Sequence, residues 1–206
     1  MKPVFFYLPA LLFVLITGLS CCTNNNETLN HKQQIETFRK QKNKDYMIPE
    51  KTMLTADLMK DFEGLKYFPI DYKYNVKAEL AKFEYLPKIE IRTSTGKVSD
   101  YVIYGKLSFT IDEKSYELSV YQSAGLVGTA IKENALFVPF TDKTSGKETY
   151  GGGRYLVLDI PENNQVTIDF NMAYNPFCVY NPKHSCPIPP AENNLPIKIS
   201  VGEMMY

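Results

Sequence analysis

"YVIYGKLSFTI", Tyr101 to Ile111, places an apolar or small residue at every second position: Tyr101, Ile103, Gly105, Leu107, Phe109 and Ile111. A period of two belongs to a strand with one buried face, because successive side chains point to opposite sides of a sheet. The same alternation flanks it, in "KIEIR" through Ile89 and Ile91 and in "YELSV" through Tyr116, Leu118 and Val120. Further strands are expected at "ALFVPF", "RYLVLDI" and "QVTIDF", with polar turns at 94–97, 112–114 and 162–164. Short strands at roughly ten-residue spacing, without internal repeats, predict a mainly β fold: an antiparallel sandwich or a small barrel. Upstream of Leu65 the pattern differs. A weakly amphipathic helix is expected from Glu27 to Lys44, and another turn or two at "TADLMKDFEG", capped by Thr55 and stopped by Gly64. This short N-terminal helical segment should pack outside the sheet.

The chain has 206 residues, enough for one average domain, and its 23 basic side chains balance 23 acidic ones. Such a balance offers no positive excess to attract nucleic acid or an anionic membrane, so no nucleic-acid partner is expected. The first twenty residues read as a secretory signal: Met1, Lys2 and Pro3 form a short basic start, and "VFFYLPALLFVLITG" is an apolar stretch too short for a comfortable membrane span. Its end, "TGLSC", resembles the bacterial lipobox, which predicts cleavage before Cys21 and lipidation of that thiol. Cys22 is the alternative, with Leu19 correctly placed, but Ser20 is the small residue that the peptidase needs before its cut. The expected organisation is therefore a lipoprotein signal peptide over 1–20, a lipid-anchored polar spacer over 21–33 and a single β-rich domain over 34–206. Two or more acyl chains would hold the protein firmly to a membrane, outside the cytoplasm, on the periplasmic face of the inner or outer membrane. Disulfides persist in that compartment.

With Cys21 and Cys22 at the lipid end, Cys178 and Cys186 are the cysteines left to the domain, and His184 lies between them. Structural zinc sites favour four ligands in C-x2-4-C pairs, so a set of Cys178, His184, Cys186 and Glu192 has the wrong spacing. A redox dithiol would ordinarily be C-x-x-C at a helix start. A cysteine nucleophile would need His184 as its base, held on an irregular loop. The preferred reading is a disulfide between Cys178 and Cys186, contributing roughly 2.5 kcal/mol through chain entropy. The surrounding prolines fit it, since each stiffens a segment lacking a ladder. No metal and no cofactor are expected.

"FTDKTSGKETYGGGRYLVLDI", 140–160, sets three consecutive glycines between Tyr150 and Arg154. Such a run can turn successive amides inward as an anion-binding nest, and Arg154 could add a bidentate donor for a carboxylate or phosphate. The competing reading is a bulged strand entry, with Arg154 paired to Asp142 or Asp159. No P-loop or dinucleotide fingerprint is present.

"FTDKTSGKETYGGGRYL", "DFNMAYNPFCVYN" and "CPIPPAENNLPIKISVGE", with "GLKYFPIDYKYNVKAEL" and "YGKLSF" upstream, resemble the bacterial family called domain of unknown function sixteen eighty-four. The similarity runs from about Asp61 to Glu203. The family's motif positions fall on Asp142, Thr144, Gly146, Tyr150, Gly151, Gly153 and Arg154, on Asn171, Tyr174, Asn175, Pro176, Cys178 and Tyr180, and on Cys186, Pro187, Pro190, Glu192 and Asn193. The resemblance implies no activity. His184 matches no motif position.

If "RYLVLDI" and "QVTIDF" form a hairpin, the start of the first lies beside the end of the second, and Arg154 meets Asn171, Tyr174 and Asn175. With Asp142, Thr144, Tyr150, Glu192 and Asn193 nearby, this would be a concave, polar and aromatic corner suited to a small anionic or polar ligand. A buried polar network fixing the C-terminal loop is the equal alternative. The leading expectation is thus a membrane-anchored lipoprotein of the cell envelope that binds such a ligand. An extracytoplasmic hydrolase using Asp142, Glu192 or Cys178 comes second, and a structural envelope protein third.

Overall fold

The protein is described by a computed structural model over residues 20–124 and 135–206. The expected signal peptide falls almost wholly on residues 1–19, outside the described residues. Among the described residues, two α-helices, α1 (Ser20–Tyr46) and α2 (Ala56–Lys60), precede seven strands: β1 (Asn75–Lys82), β2 (Lys88–Arg92), β3 (Val98–Ile111), β4 (Lys114–Ser123), β5 (Ala135–Phe140), β6 (Arg154–Asp159) and β7 (Gln165–Asp169). All pairings between them are antiparallel, in the order β6-β5-β4-β3-β1-β7 with β2 also on β3, and the sheet curls into a nearly closed barrel.

The long strand β3 organises this sheet and carries a device that its alternation hides. Its register against β4 shifts between Ile103 and Gly105, so Tyr104 is an inserted bulge residue. An extra residue flips the faces. Tyr101 therefore joins Ile91, Tyr121, Phe137, Tyr155 and Cys186 in one apolar cluster, whereas Leu107, Phe109 and Ile111 join Leu118, Val138 and Ile168 in the main core. Gly105 is required at the shift, because a Cβ there would stand 2.4 Å from the Ala81 carbonyl oxygen. Each fully buried aliphatic or aromatic side chain contributes about 2 kcal/mol, so both faces matter to stability. At the far end of β3, Asp112 and Glu113 take positive φ in the two-residue turn to β4.

β6 and β7 do not form the expected hairpin. β6 pairs with β5 and β7 with β1, at opposite ends of the strand order. What meets β6 is the chain just beyond β7: Tyr155 and Tyr174 exchange backbone hydrogen bonds of 2.9 and 3.0 Å. The stretch 21–33, expected as a polar spacer, is helical and lies within α1. Its Asn-rich composition gives weak helix propensity, and docking contacts override it. His31, Ile35, Arg39, Lys42 and Tyr46 follow helical spacing down one side, and His31 Nε2 lies 2.7 Å from the Asp169 carboxylate. Thr55 caps α2 as expected, its Oγ1 accepting from Leu58 N, but α2 ends at Lys60 rather than at Gly64.

Candidate functional site

Arg154 opens β6 with a fully buried side chain. Its Nη1 donates to the Val201 and Glu203 carbonyls and its Nη2 to the Ile199 carbonyl at 2.8 Å, with the Asp142 carboxylate at 3.4 Å. Asp142 in turn accepts from Ile199 N at 2.7 Å and from the Thr144 hydroxyl at 2.8 Å, and Thr144 meets the Thr149 hydroxyl at 2.9 Å. Burial lowers the Arg154 pKa and the adjacent Asp142 carboxylate opposes that fall. The guanidinium is thus spent on the C-terminal segment. Asp142, Thr144 and Arg154 are joined in one buried polar network, the arrangement weighed against an anion site in the sequence.

The neighbouring candidates are also engaged, at separate places. Asn193 mimics a strand, its Oδ1 accepting from Ser119 N and its Nδ2 donating to the Ser119 and Pro139 carbonyls at 2.8 and 2.7 Å. Asn171 does the same with both backbone groups of Asp71. Asn175 donates its backbone N–H to Glu203 Oε2 at 2.8 Å and its side chain to the Met204 carbonyl. Tyr174 lies under Lys42, whose Nζ is 4.6 Å from the ring centroid. Glu192 is exposed and accepts from the Tyr121 hydroxyl at 2.9 Å. The hairpin expected to gather these residues around Arg154 does not form, since β6 and β7 each pair with another strand, and these amides complete backbone ladders.

A buried charge cluster lies where the sequence gives no sign of one. The Glu203 carboxylate, 1% exposed, receives Lys42 Nζ and the Tyr180 hydroxyl in addition to Asn175 N. Burial first, and then the Glu203 charge, raise the phenols of Tyr46, Tyr67, Tyr174 and Tyr180 well above the ordinary tyrosine value. A glutamate in "SVGE" carries little local signal, since its partners lie on α1 and the loop after β7.

The remaining candidates, Tyr150, Cys178 and Cys186, do come together. Residues 185–188 lie against the β2–β3 turn: Ser94 N donates to the Cys186 carbonyl at 2.8 Å, Cys186 N donates to Ser94 Oγ at 3.1 Å, and Ile188 N donates to the Arg92 carbonyl at 2.7 Å. The Tyr155 hydroxyl fixes the next carbonyl, that of Pro187. Cys178 sits on the 3-10 turn Phe177–Val179, and its backbone N–H points at the Cys186 sulfur, 3.2 Å away. The triple glycine serves this corner rather than an anion nest. Tyr150 packs so closely over Gly152 that a Cβ there would lie 2.5 Å from the ring, and Gly153 adopts φ +84° with its open side against the Phe140 carbonyl oxygen.

The two cysteines are free thiols, which corrects the expected disulfide. Their environments differ. Cys186 is buried, whereas Cys178 is half-buried. Donation from the Cys186 thiol, then from Ser94 and Tyr150 hydroxyls, lowers the Cys178 pKa to about 6 despite partial burial. Cys186 is driven up by the Cys178 sulfur and by burial. His184 sets its ring against Phe177, centroids 5.8 Å apart. Among the described residues no three His, Cys, Asp or Glu side chains are grouped to hold a metal ion. Ser94 could not be singled out from "TSTG", because its role depends on a segment about ninety residues away.

A family model described as "Protein of unknown function (DUF1684)" matches residues 60–204. A solution NMR structure of an uncharacterized protein from gene locus rrnAC0354 of Haloarcula marismortui is similar at 33% identity and a TM-score of 0.67, covering 87% of this chain and 97% of that one. No curated protein matches the chain.

Proposed function

The chain belongs to the DUF1684 family of proteins of unknown function, and from that premise we propose that it is a membrane-anchored lipoprotein of the cell envelope that binds a small polar ligand at the thiol corner. The anchor is Cys21. It rests on the basic start, the apolar stretch and the "TGLSC" boundary. The observation that carries the binding site is the approach of the half-buried Cys178 to Cys186, whose sulfur lies 3.2 Å from the Cys178 backbone nitrogen and whose own backbone is held by Ser94. A partly accessible thiol beside a second, buried one can engage a small molecule, whereas Arg154 has its side chain enclosed.

The anchor and the domain suit each other physically. Residues 26–30 of α1 are exposed before His31 docks on Asp169. About ten helical residues correspond to roughly 15 Å between lipid and domain. No described helix is long and apolar enough to cross a membrane. Fatty-acid labelling tests the anchor: Cys21→Ala should abolish it, and normal labelling of that variant would move the lipid to another residue. Native mass spectrometry of the detergent-solubilised protein tests the site. A retained small molecule, lost in Tyr150→Phe and Cys178→Ser, supports the reading; retention unchanged in both variants rejects this location.

A further inference from the structure

Resting on that reading of the thiol corner, we propose that Cys178 and Cys186 form an exchanging dithiol whose ligand is a small polar disulfide, with Cys178 as attacking sulfur and Cys186 as resolving sulfur. The asymmetry of the pair assigns the roles. Cys178 is half-buried and so reachable, while Cys186 is buried behind it. The Cys186 sulfur already lies 3.2 Å from the Cys178 backbone nitrogen, so it stands beside the bond it would have to break. Its backbone is fixed on both sides, through Ser94 at Cys186 and through Tyr155 at Pro187. A resolving sulfur benefits from such immobility, because closing the internal disulfide then orders few further groups.

The electrostatics agree. Attack requires a thiolate, and donors placed around Cys178 stabilise that form near neutral pH. The raised Cys186 keeps its proton until the mixed disulfide forms, when the negative charge on Cys178 that raised it has gone. In the first step the Cys178 thiolate attacks one sulfur of R–S–S–R, forming a Cys178–S–S–R bond and releasing RS⁻. That RS⁻ takes the proton of Cys186. The Cys186 thiolate then attacks the Cys178 sulfur, forming the internal disulfide and expelling the second RS⁻, which takes a proton from solvent. The protein dithiol loses two electrons and the substrate disulfide gains them.

The test uses the reduced full-length protein in detergent with glutathione disulfide as probe, followed by mass spectrometry of the intact chain. In a Cys22→Ser background, wild type at Cys178 and Cys186 should lose two hydrogens from that pair without retaining glutathione on it. Cys186→Ser should accumulate one glutathione adduct at Cys178, and Cys178→Ser should react at least about tenfold more slowly. Tyr150→Phe, which keeps both thiols, should move the pH midpoint of Cys178 alkylation upward from about 6. The wild-type exchange rate against that of the urea-unfolded chain decides the matter if either cysteine variant fails to fold. Preferential alkylation of Cys186, or wild-type exchange no faster than in the urea-unfolded chain, overturns the dithiol. A retained polar ligand without exchange would overturn this inference while leaving the binding site in place.

Discussion

Lys42 of α1 is ion-paired with Glu203, close to the end of the chain, with side-chain exposures of 14% and 1%. The contact joins a helix lying outside the matched residues 60–204 to the end of the matched region. In its aromatic enclosure the Glu203 carboxylate also accepts from Asn175 N and the Tyr180 hydroxyl, and among the described residues Lys42 is the cation in direct contact with it.

Lys42→Met therefore should destabilise the protein by about 3 kcal/mol, the lower part of the range for removing one partner of a buried pair, since Lys42 keeps some solvent contact. Adding Glu203→Gln to it should recover part of the loss, because the unpaired charge is gone. Urea unfolding of the single and double variants measures both. A double variant weaker than Lys42→Met would show that Glu203 matters through its hydrogen bonds instead.

Asn193→Ala should cost about 3 kcal/mol. It removes one acceptor and two donated hydrogen bonds at a fully buried position, leaving Ser119 N and the Pro139 carbonyl without their partner. Asn193→Asp should be at least as damaging, because a carboxylate would face two carbonyl oxygens. Thermal melts of the two variants compare them directly.

Much of this fold is legible because the strands alternate, yet two features escape for physical reasons. The odd-numbered run from Tyr101 to Ile111 looks like one face, and only the pairing partner reveals that the bulge at Tyr104 splits it between two clusters. β1 does not stand out as a strand: Val76, Ala78 and Leu80 alternate, but Ala, Glu, Leu and Lys are also good helix formers, so local preference does not choose between strand and helix. The site behaves similarly. Tyr150, Cys178 and Cys186 sit in recognisable stretches, whereas Ser94, Lys42 and Glu203 acquire meaning through partners far away along the chain. β6 meets the loop after β7 through the Tyr155–Tyr174 backbone pair, but the Arg154 side chain turns to the C-terminal segment, and β6 and β7 each find another strand instead of forming a hairpin.

The stability of the reduced protein should depend on pH through the thiol pair. Cys178 has a folded-state pKa of about 6 against an ordinary 9.0, so its contribution is fully present above about 9, declines as pH falls and is gone below about 6. Cys186 is raised and acts oppositely, opposing stability as pH rises past its ordinary value. The reduced wild type should gain stability from pH 6 toward 9, by an amount reduced through solvent screening at the half-exposed Cys178, and lose stability again above about 9 as the unfolded chain releases the proton that folded Cys186 keeps. Urea midpoints measured across this range in wild type and Cys178→Ser isolate the effect. Parallel curves for the two proteins would show that the thiolate is not stabilised by folding.

Arg154→Lys and Arg154→Ala distinguish a structural arginine from an anion receptor. The guanidinium is wholly buried and gives hydrogen bonds to Ile199, Val201 and Glu203 carbonyls while facing Asp142. Alanine removes the cation beside a buried carboxylate and frees three carbonyls together, so a loss of about 3 to 5 kcal/mol is expected. Lysine keeps the charge, but its compact ammonium cannot reproduce a planar fork across several carbonyls, so it should recover less than half of that loss. Because the network ties β6 to the last residues of the chain, both variants should also loosen the C-terminal segment, seen as faster amide exchange at Ile199 and Glu203, whose N–H groups bond Asp142 and Ala173. The wild-type melting temperature should not rise with added phosphate or carboxylate beyond the response of Arg154→Ala. A phosphate-dependent rise specific to wild type would mean that the enclosure opens and that Arg154 receives an anion after all.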